Sequence, residues 1–138
     1  MVFVMLNPST ADAKHDDPTI RRCVNFAKRE NCGSISVKNV FALRATDPTA
    51  LLAAADPFGP DNYEWLINGR GVRFLTIMVA AWGARNRARR LRTAYCNAAS
   101  ACLINRAKCF GTTKDGSPRH PLYLPANAPL VDFKQPGY

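Results

Sequence analysis

The sequence predicts an α/β fold: three layers, α/β/α, around a four-stranded, mainly parallel sheet. Short apolar runs alternate with stretches of helical periodicity along the chain, the pattern of crossover units that build a parallel sheet. Four patches rich in ligand-binding groups also fall at or near the ends of strand-like runs. They are Asn7-Pro8-Ser9-Thr10-Ala11-Asp12 after Val2–Leu6, Asn39-Val40-Phe41-Ala42 closing Ile35–Lys38, Trp82-Gly83 after Phe74–Ala81, and His120-Pro121-Leu122-Tyr123 near the end. Open α/β sheets bind ligands outside the carboxyl ends of their strands, so these patches are expected to converge on one pocket. With 138 residues, 47% of them hydrophobic and 21% charged, the chain reads as one globular domain spanning residues 1–138.

Each element has its own signal. Val2–Leu6 is a continuous apolar run, as expected of a buried parallel strand. Asn7–Asp17 is a polar loop. Asp17-Pro18 then reads as a cap followed by proline at the first helical position. Ile20, Cys23, Val24 and Ala27 recur at helical spacing, and Gly33 is the expected left-handed C-cap. Ile35–Phe41 is the second strand. Asp47-Pro48 opens a short helix through Leu51–Ala55, Asp56–Pro60 is a rigid turn, and Asp61–Asn68 is a third helix. Phe74–Ala81 is a central strand, Arg85–Ala101 a long basic helix, and Arg106–Phe110 the weakest strand. Gly111–Pro125 reads as a loop, and the tail from Ala126 has little pattern.

Charge narrows the partners. The net charge is +9, and no Asp or Glu lies between Trp65 and Lys114, a stretch that carries ten cations. Arg85, Arg87, Arg89, Arg90 and Arg92 are its densest part. They read as the footprint of a protein that meets DNA, or else as a solvated helix face. The five cysteines, Cys23, Cys32, Cys96, Cys102 and Cys109, are odd in number and lack C-x-x-C spacing. Free, mostly buried thiols in a reducing cytoplasm are expected, with no metal and no cofactor. No apolar run approaches the roughly 20 residues of a membrane helix, and Met1–Leu6 is too short for a signal peptide. Neither a P-loop nor G-x-G-x-x-G occurs, which argues against Walker-type ATPases and dinucleotide-dependent oxidoreductases.

Several residues are candidates for chemistry. Pro8 forces the chain to turn directly after the first strand, and the Asn7 amide could orient a water or read a base edge. The alternative for Asn7 is an Asx-type turn satisfying local backbone. Ser9 lies in the same patch. Asp12, Asp16 and Asp17 could supply a general base or a metal ligand, the helix cap being the favoured reading of Asp17 because Pro18 follows it. Asn39 is a polar amide in a strand, and Phe41, two residues on, is expected on the same side, to stack on an aromatic ligand or to fill the core. Arg44 suits a phosphate at the rim. Trp82-Gly83 reads as a close backbone approach at a strand end, with Trp82 either lining the pocket or plugging the core. Lys114, Arg119 and His120 share one loop with Tyr123, and a histidine beside two cations tends to stay neutral.

Taken together, these stretches resemble a bacterial and phage family known as domain of unknown function 1643. The resemblance rests on N-P-S-T-A-D at Asn7–Asp12, D-D-P-T-I-R-R-C at Asp16–Cys23, N-V-F-A-L-R-A-T-D-P at Asn39–Pro48, A-A-W-G-A at Ala80–Ala84 and T-K-D-G-S-P-R-H-P-L-Y-L at Thr113–Leu124. A more distant similarity is to the uracil-DNA glycosylase superfamily. It implies that fold, a water-positioning Asn7-Pro8, a base-reading Asn39, and a His120-Pro121 motif that steadies the departing base. Leu122-Tyr123 departs from the small serine-rich residues usual there. Relatives in both groups usually carry sequence ahead of the first strand, so the resemblance implies a shortened start or a lost edge.

Three functions follow as expectations. The first is a nucleobase-recognising protein of glycosylase type, hydrolysing an N-glycosidic bond in DNA. The second is a non-catalytic DNA- or nucleotide-binding accessory protein on the same fold. The third is an enzyme acting on a small phosphorylated metabolite, with Arg44, Lys114 and Arg119 as the anion clamp.

Overall fold

The structure, a computed structural model, describes residues 1–9, 17–47, 49–67, 76–84, 96, 98, 100 and 106–134. In chain order these form β1 (Val2–Met5), α1 (Pro18–Arg29), β2 (Ser36–Asn39), α2 (Ala50–Ala53), α3 (Asn62–Ile67), β3 (Met78–Ala80), β4 (Lys108–Cys109) and β5 (Val131–Asp132). Cys96, Ala98 and Ser100 are helical. The sheet runs β2-β1-β3-β4-β5. Its first three pairings are parallel, and β4 pairs with β5 antiparallel. The fold is therefore α/β with a mixed sheet of five strands rather than four.

The extra strand comes from the tail. Val131 and Asp132 are exposed, so no apolar alternation marks them in the sequence. What pairs them is register: Lys108 lies opposite Asp132, Cys109 lies opposite Val131, and the Phe133 N–H donates to Ala107 O at 2.9 Å. Phe133 is buried edge-on against Trp82. Arg29 holds the tail from the other side, donating to Ala126 O and Ala128 O at 2.7 Å each while lying over the stacked rings of Phe26 and Phe110.

β1 runs between β2 and β3, and an apolar cluster on each side of the sheet buries both its faces. Its residues alternate between two apolar clusters, as a pleat of period two requires. Val2 and Val4 join Val40, Phe41, Leu51, Leu66, Met78, Ala80 and Trp82. Phe3 and Met5 join Cys23, Phe26 and Ala27 of α1, with Val79, Ala81 and Phe110.

α1 begins as its sequence predicts. Asp17 Oδ1 accepts the Thr19 N–H at 2.7 Å and the Ile20 N–H at 3.4 Å, and Pro18 follows the cap. It ends differently. The left-handed residue is Asn31, at φ 56°, not Gly33. Asn31 N–H donates to Lys28 O at 3.1 Å and Cys32 N–H to Ala27 O at 2.8 Å, the paired bonds of a Schellman end. Asparagine tolerates this conformation, so the helix closes two residues before the glycine. No helix among the described residues is long and apolar enough to cross a membrane.

Candidate functional site

The chain leaving β1 and the chain leaving β2 are stitched together just beyond the sheet. Val40 N–H donates to Met5 O and Phe41 N–H to Leu6 O, both at 2.9 Å. Past them, the Asn7 side-chain amide donates to Pro8 O at 3.0 Å and to Ala45 O at 2.7 Å. Ala45 N–H returns a bond to Pro8 O, and Arg44 Nε donates to Ser9 O, both at 3.2 Å. Asn7 is thus half-buried with its amide nitrogen committed to two carbonyls, which fixes the amide plane and leaves Oδ1 as its acceptor.

His120 stands on a rigid mount. Pro121–Tyr123 forms a single 3-10 turn, with Tyr123 N–H on His120 O and Leu124 N–H on Pro121 O, both at 3.2 Å. The buried side chains of Pro121 and Leu124 anchor the turn's two ends. His120 Nδ1 accepts the Leu122 N–H at 3.3 Å. A ring nitrogen that accepts carries no proton, so the neutral imidazole holds its proton on Nε2. Burial pushes the His120 pKa down from its ordinary value, and the charge of Asp17 works against that. Gly83, at the end of β3, passes close by. A Cβ built on it would lie 3.4 Å from His120 Cβ, and its φ of +82° strains any residue with a side chain.

Asp17 joins the two halves of this region. Its Oδ2 accepts the Ser9 hydroxyl at 3.2 Å, while its charge acts on His120. Around the carboxyl ends of β1 and β3, then, lie an amide acceptor, a neutral imidazole donor and a carboxylate. Such a set can orient water and steady a developing anion. Among the described residues no three His, Cys, Asp or Glu side chains gather to hold a metal ion.

The remaining predicted residues fall in several places. Asn39 closes β2 and is half-buried, and Asn62 donates to its carbonyl at 3.0 Å. The pleat that would put Phe41 beside it does not continue. β2 ends at Asn39, the successive N–H groups of Val40 and Phe41 both turn toward the β1 chain, and both side chains enter the α2–α3 cluster. Phe41 is fully buried against Phe58, with ring centroids 5.3 Å apart. Trp82 is buried against Phe133. Lys114 is exposed at the tip of a tight hairpin, where Thr113 N–H meets Ser117 O at 2.8 Å and Thr112 bridges Pro118. Arg119 is exposed and donates from Nε to Thr112 O at 3.0 Å. Tyr123 is 81% exposed, its ring 5.7 Å from that of His120. Asp12, Asp16, Arg85, Arg87, Arg89, Arg90 and Arg92 lie outside the described residues.

Two contacts go beyond the sequence reading. Asp17 is the cap the sequence favours, but its second oxygen also takes a partner eight residues away in a loop, which no local pattern announces. Trp82-Gly83 reads as a close backbone approach at a strand end, and Gly83 makes one; that the approach is to His120 spans a separation no local pattern records.

A family model described as Protein of unknown function (DUF1643) matches residues 1–122. The chain belongs to that family. No curated protein and no solved structure matches it.

Proposed function

We propose that this DUF1643 member recognises a nucleobase at the carboxyl ends of its strands and hydrolyses an N-glycosidic bond in DNA. The fold implied is the three-layer α/β/α arrangement of uracil-DNA glycosylases. The observation that carries the proposal is His120, whose Nδ1 accepts a backbone N–H and so leaves the imidazole proton on Nε2; the Asn7 amide, beyond the end of β1, is locked in orientation. In the proposed reaction the C1′–N bond breaks and its electron pair leaves on the base. Nε2–H of His120 donates a hydrogen bond to that anion. Water held at Asn7 Oδ1 forms the new bond to C1′, and its proton passes to solvent. Asn39 faces the base, and Arg44, Lys114 and Arg119 supply cations for flanking phosphates. Arg85, Arg87, Arg89, Arg90 and Arg92 extend that contact along the strand. Extruding a base from a duplex costs a few kcal/mol, which phosphate contacts offset.

One observation favours a second reading. The Asn7 amide nitrogen is spent on backbone carbonyls, as a structural clamp would be. A non-catalytic DNA- or nucleotide-binding protein would keep the cations and the base contact without a working water. The two readings diverge at Asn7→Ala. If Asn7 orients water, this variant binds oligonucleotides with near-unchanged affinity and releases no base. If wild type binds in a salt-sensitive way yet releases no base, the accessory reading replaces the enzymatic one.

A further inference from the structure

We infer that Asp17 is a positioning residue, a single carboxylate that ties the loop carrying Asn7 to the turn carrying His120. The inference deepens the proposed function and rests on it. An N-cap needs one acceptor, and Asp17 Oδ1 meets that need through the Thr19 and Ile20 N–H groups. Serine, asparagine or threonine would serve the helix as well. What aspartate adds is a second oxygen and a charge, and both are engaged. Oδ2 accepts the Ser9 hydroxyl at 3.2 Å, in the loop whose Asn7 and Ser9 carbonyl are already bonded to the β2 side. The 3-10 turn after His120 packs on α1, the helix Asp17 starts. Pro18 fixes the backbone immediately after the cap, so the carboxylate is presented from a rigid point.

The consequence is electrostatic as well as geometric. The Tyr123 ring of the same turn lies 5.7 Å from the His120 ring, uncharged Gly83 beyond β3 approaches its Cβ, and Asp17, at the start of α1, acts on the imidazole through its charge. Among the described residues, Asp17 is the charged group whose field acts on the imidazole, opposing the effect of burial. In the proposed reaction an imidazole that donates to a developing anion takes on positive character. The negative charge of Asp17 favours that change. The same carboxylate holds the loop from which water would attack, so the two ends of the reaction keep one spacing.

The test is the proton affinity of His120, followed by NMR in the full chain. The chain has two histidines, so a His15→Gln background leaves one titrating imidazole. Asp17→Asn keeps a strong cap and removes the charge. It should shift the His120 titration to lower pH, because the opposite charge that favours the imidazolium is lost. Ser9→Ala should leave that titration in place and slow base release, because it cuts only the tether to the loop. Should Asp17→Asn misfold, Asp17→Ser, another strong cap, replaces it. An unchanged His120 titration in either folded variant overturns the inference. The NMR readout needs no turnover. A shifted titration with no base release by wild type therefore refutes the reaction while keeping the Asp17–His120 link.

Discussion

Gly83→Ala isolates the backbone requirement at the end of β3. Gly83 has φ +82°, and the nearest atom to a built Cβ is His120 Cβ at 3.4 Å. That distance is the near edge of ordinary contact, so steric overlap adds little. The cost is then the left-handed conformation itself, about 1–2 kcal/mol for an L-residue. Unfolding entropy of about 2.1 cal/mol/K per residue over 138 residues turns this into a Tm lower by about 3–7 °C. Gly33→Ala is the paired control. Nothing lies within 4 Å of its built Cβ, and Gly33 is not among the positive-φ glycines. Stiffening the unfolded chain there should stabilise by about 0.4–1 kcal/mol. Thermal and urea unfolding of both variants measures the contrast. A Gly83→Ala protein as stable as wild type, or a Gly33→Ala protein equally damaged, would refute the reasoning.

Three further outcomes are expected. Thiol labelling mapped by mass spectrometry should reach half-buried Cys32 well before Cys23 and Cys109, which are both fully buried. Burial, reinforced by Asp17, pushes the Cys23 thiol up to about 12, so at pH 8 only about one molecule in ten thousand carries its thiolate. The fold lowers the His120 pKa below its unfolded value near 6.5, chiefly by burial. Its stabilising contribution is therefore complete above about pH 6.5 and is lost as pH falls through the lowered value. His120→Gln should flatten the stability profile between pH 7 and 5 in urea titrations. Tyr123→Ala should leave Tm unchanged, since the ring is 81% exposed, yet weaken single-strand binding by about 1–3 kcal/mol, the worth of one stacked base. Equal affinity for the variant and wild type would contradict a stacking role.

The parts of the fold legible in the sequence were those with local causes. The apolar run of β1 and the Asp17-Pro18 start of α1 declare themselves over a few residues, and both appear where expected. β5 does not, because two exposed residues are held by register with β4 and by the burial of Phe133. The end of α1 was displaced from Gly33 to Asn31 because either residue accepts a left-handed φ, and the Schellman bonds favour the earlier one. In the site, Asn7 and His120 were visible as residues adjoining proline. The acceptor of the Asn7 amide, Ala45, and the neighbours of His120, Asp17 and Gly83, come from other elements. Phe41 shows how pattern misleads: period-two alternation holds only while a strand lasts, and the bend at Val40 sends the ring into the core.

The central claim is tested most directly by scoring abasic sites in single- and double-stranded oligonucleotides carrying uracil, hypoxanthine and other altered bases. Wild-type protein is predicted to create abasic sites in at least one substrate, with His120→Ala slower by roughly 10²–10³, the usual loss for a donor aimed at developing charge. No abasic site in any substrate, or equal rates for wild type and His120→Ala, would contradict it.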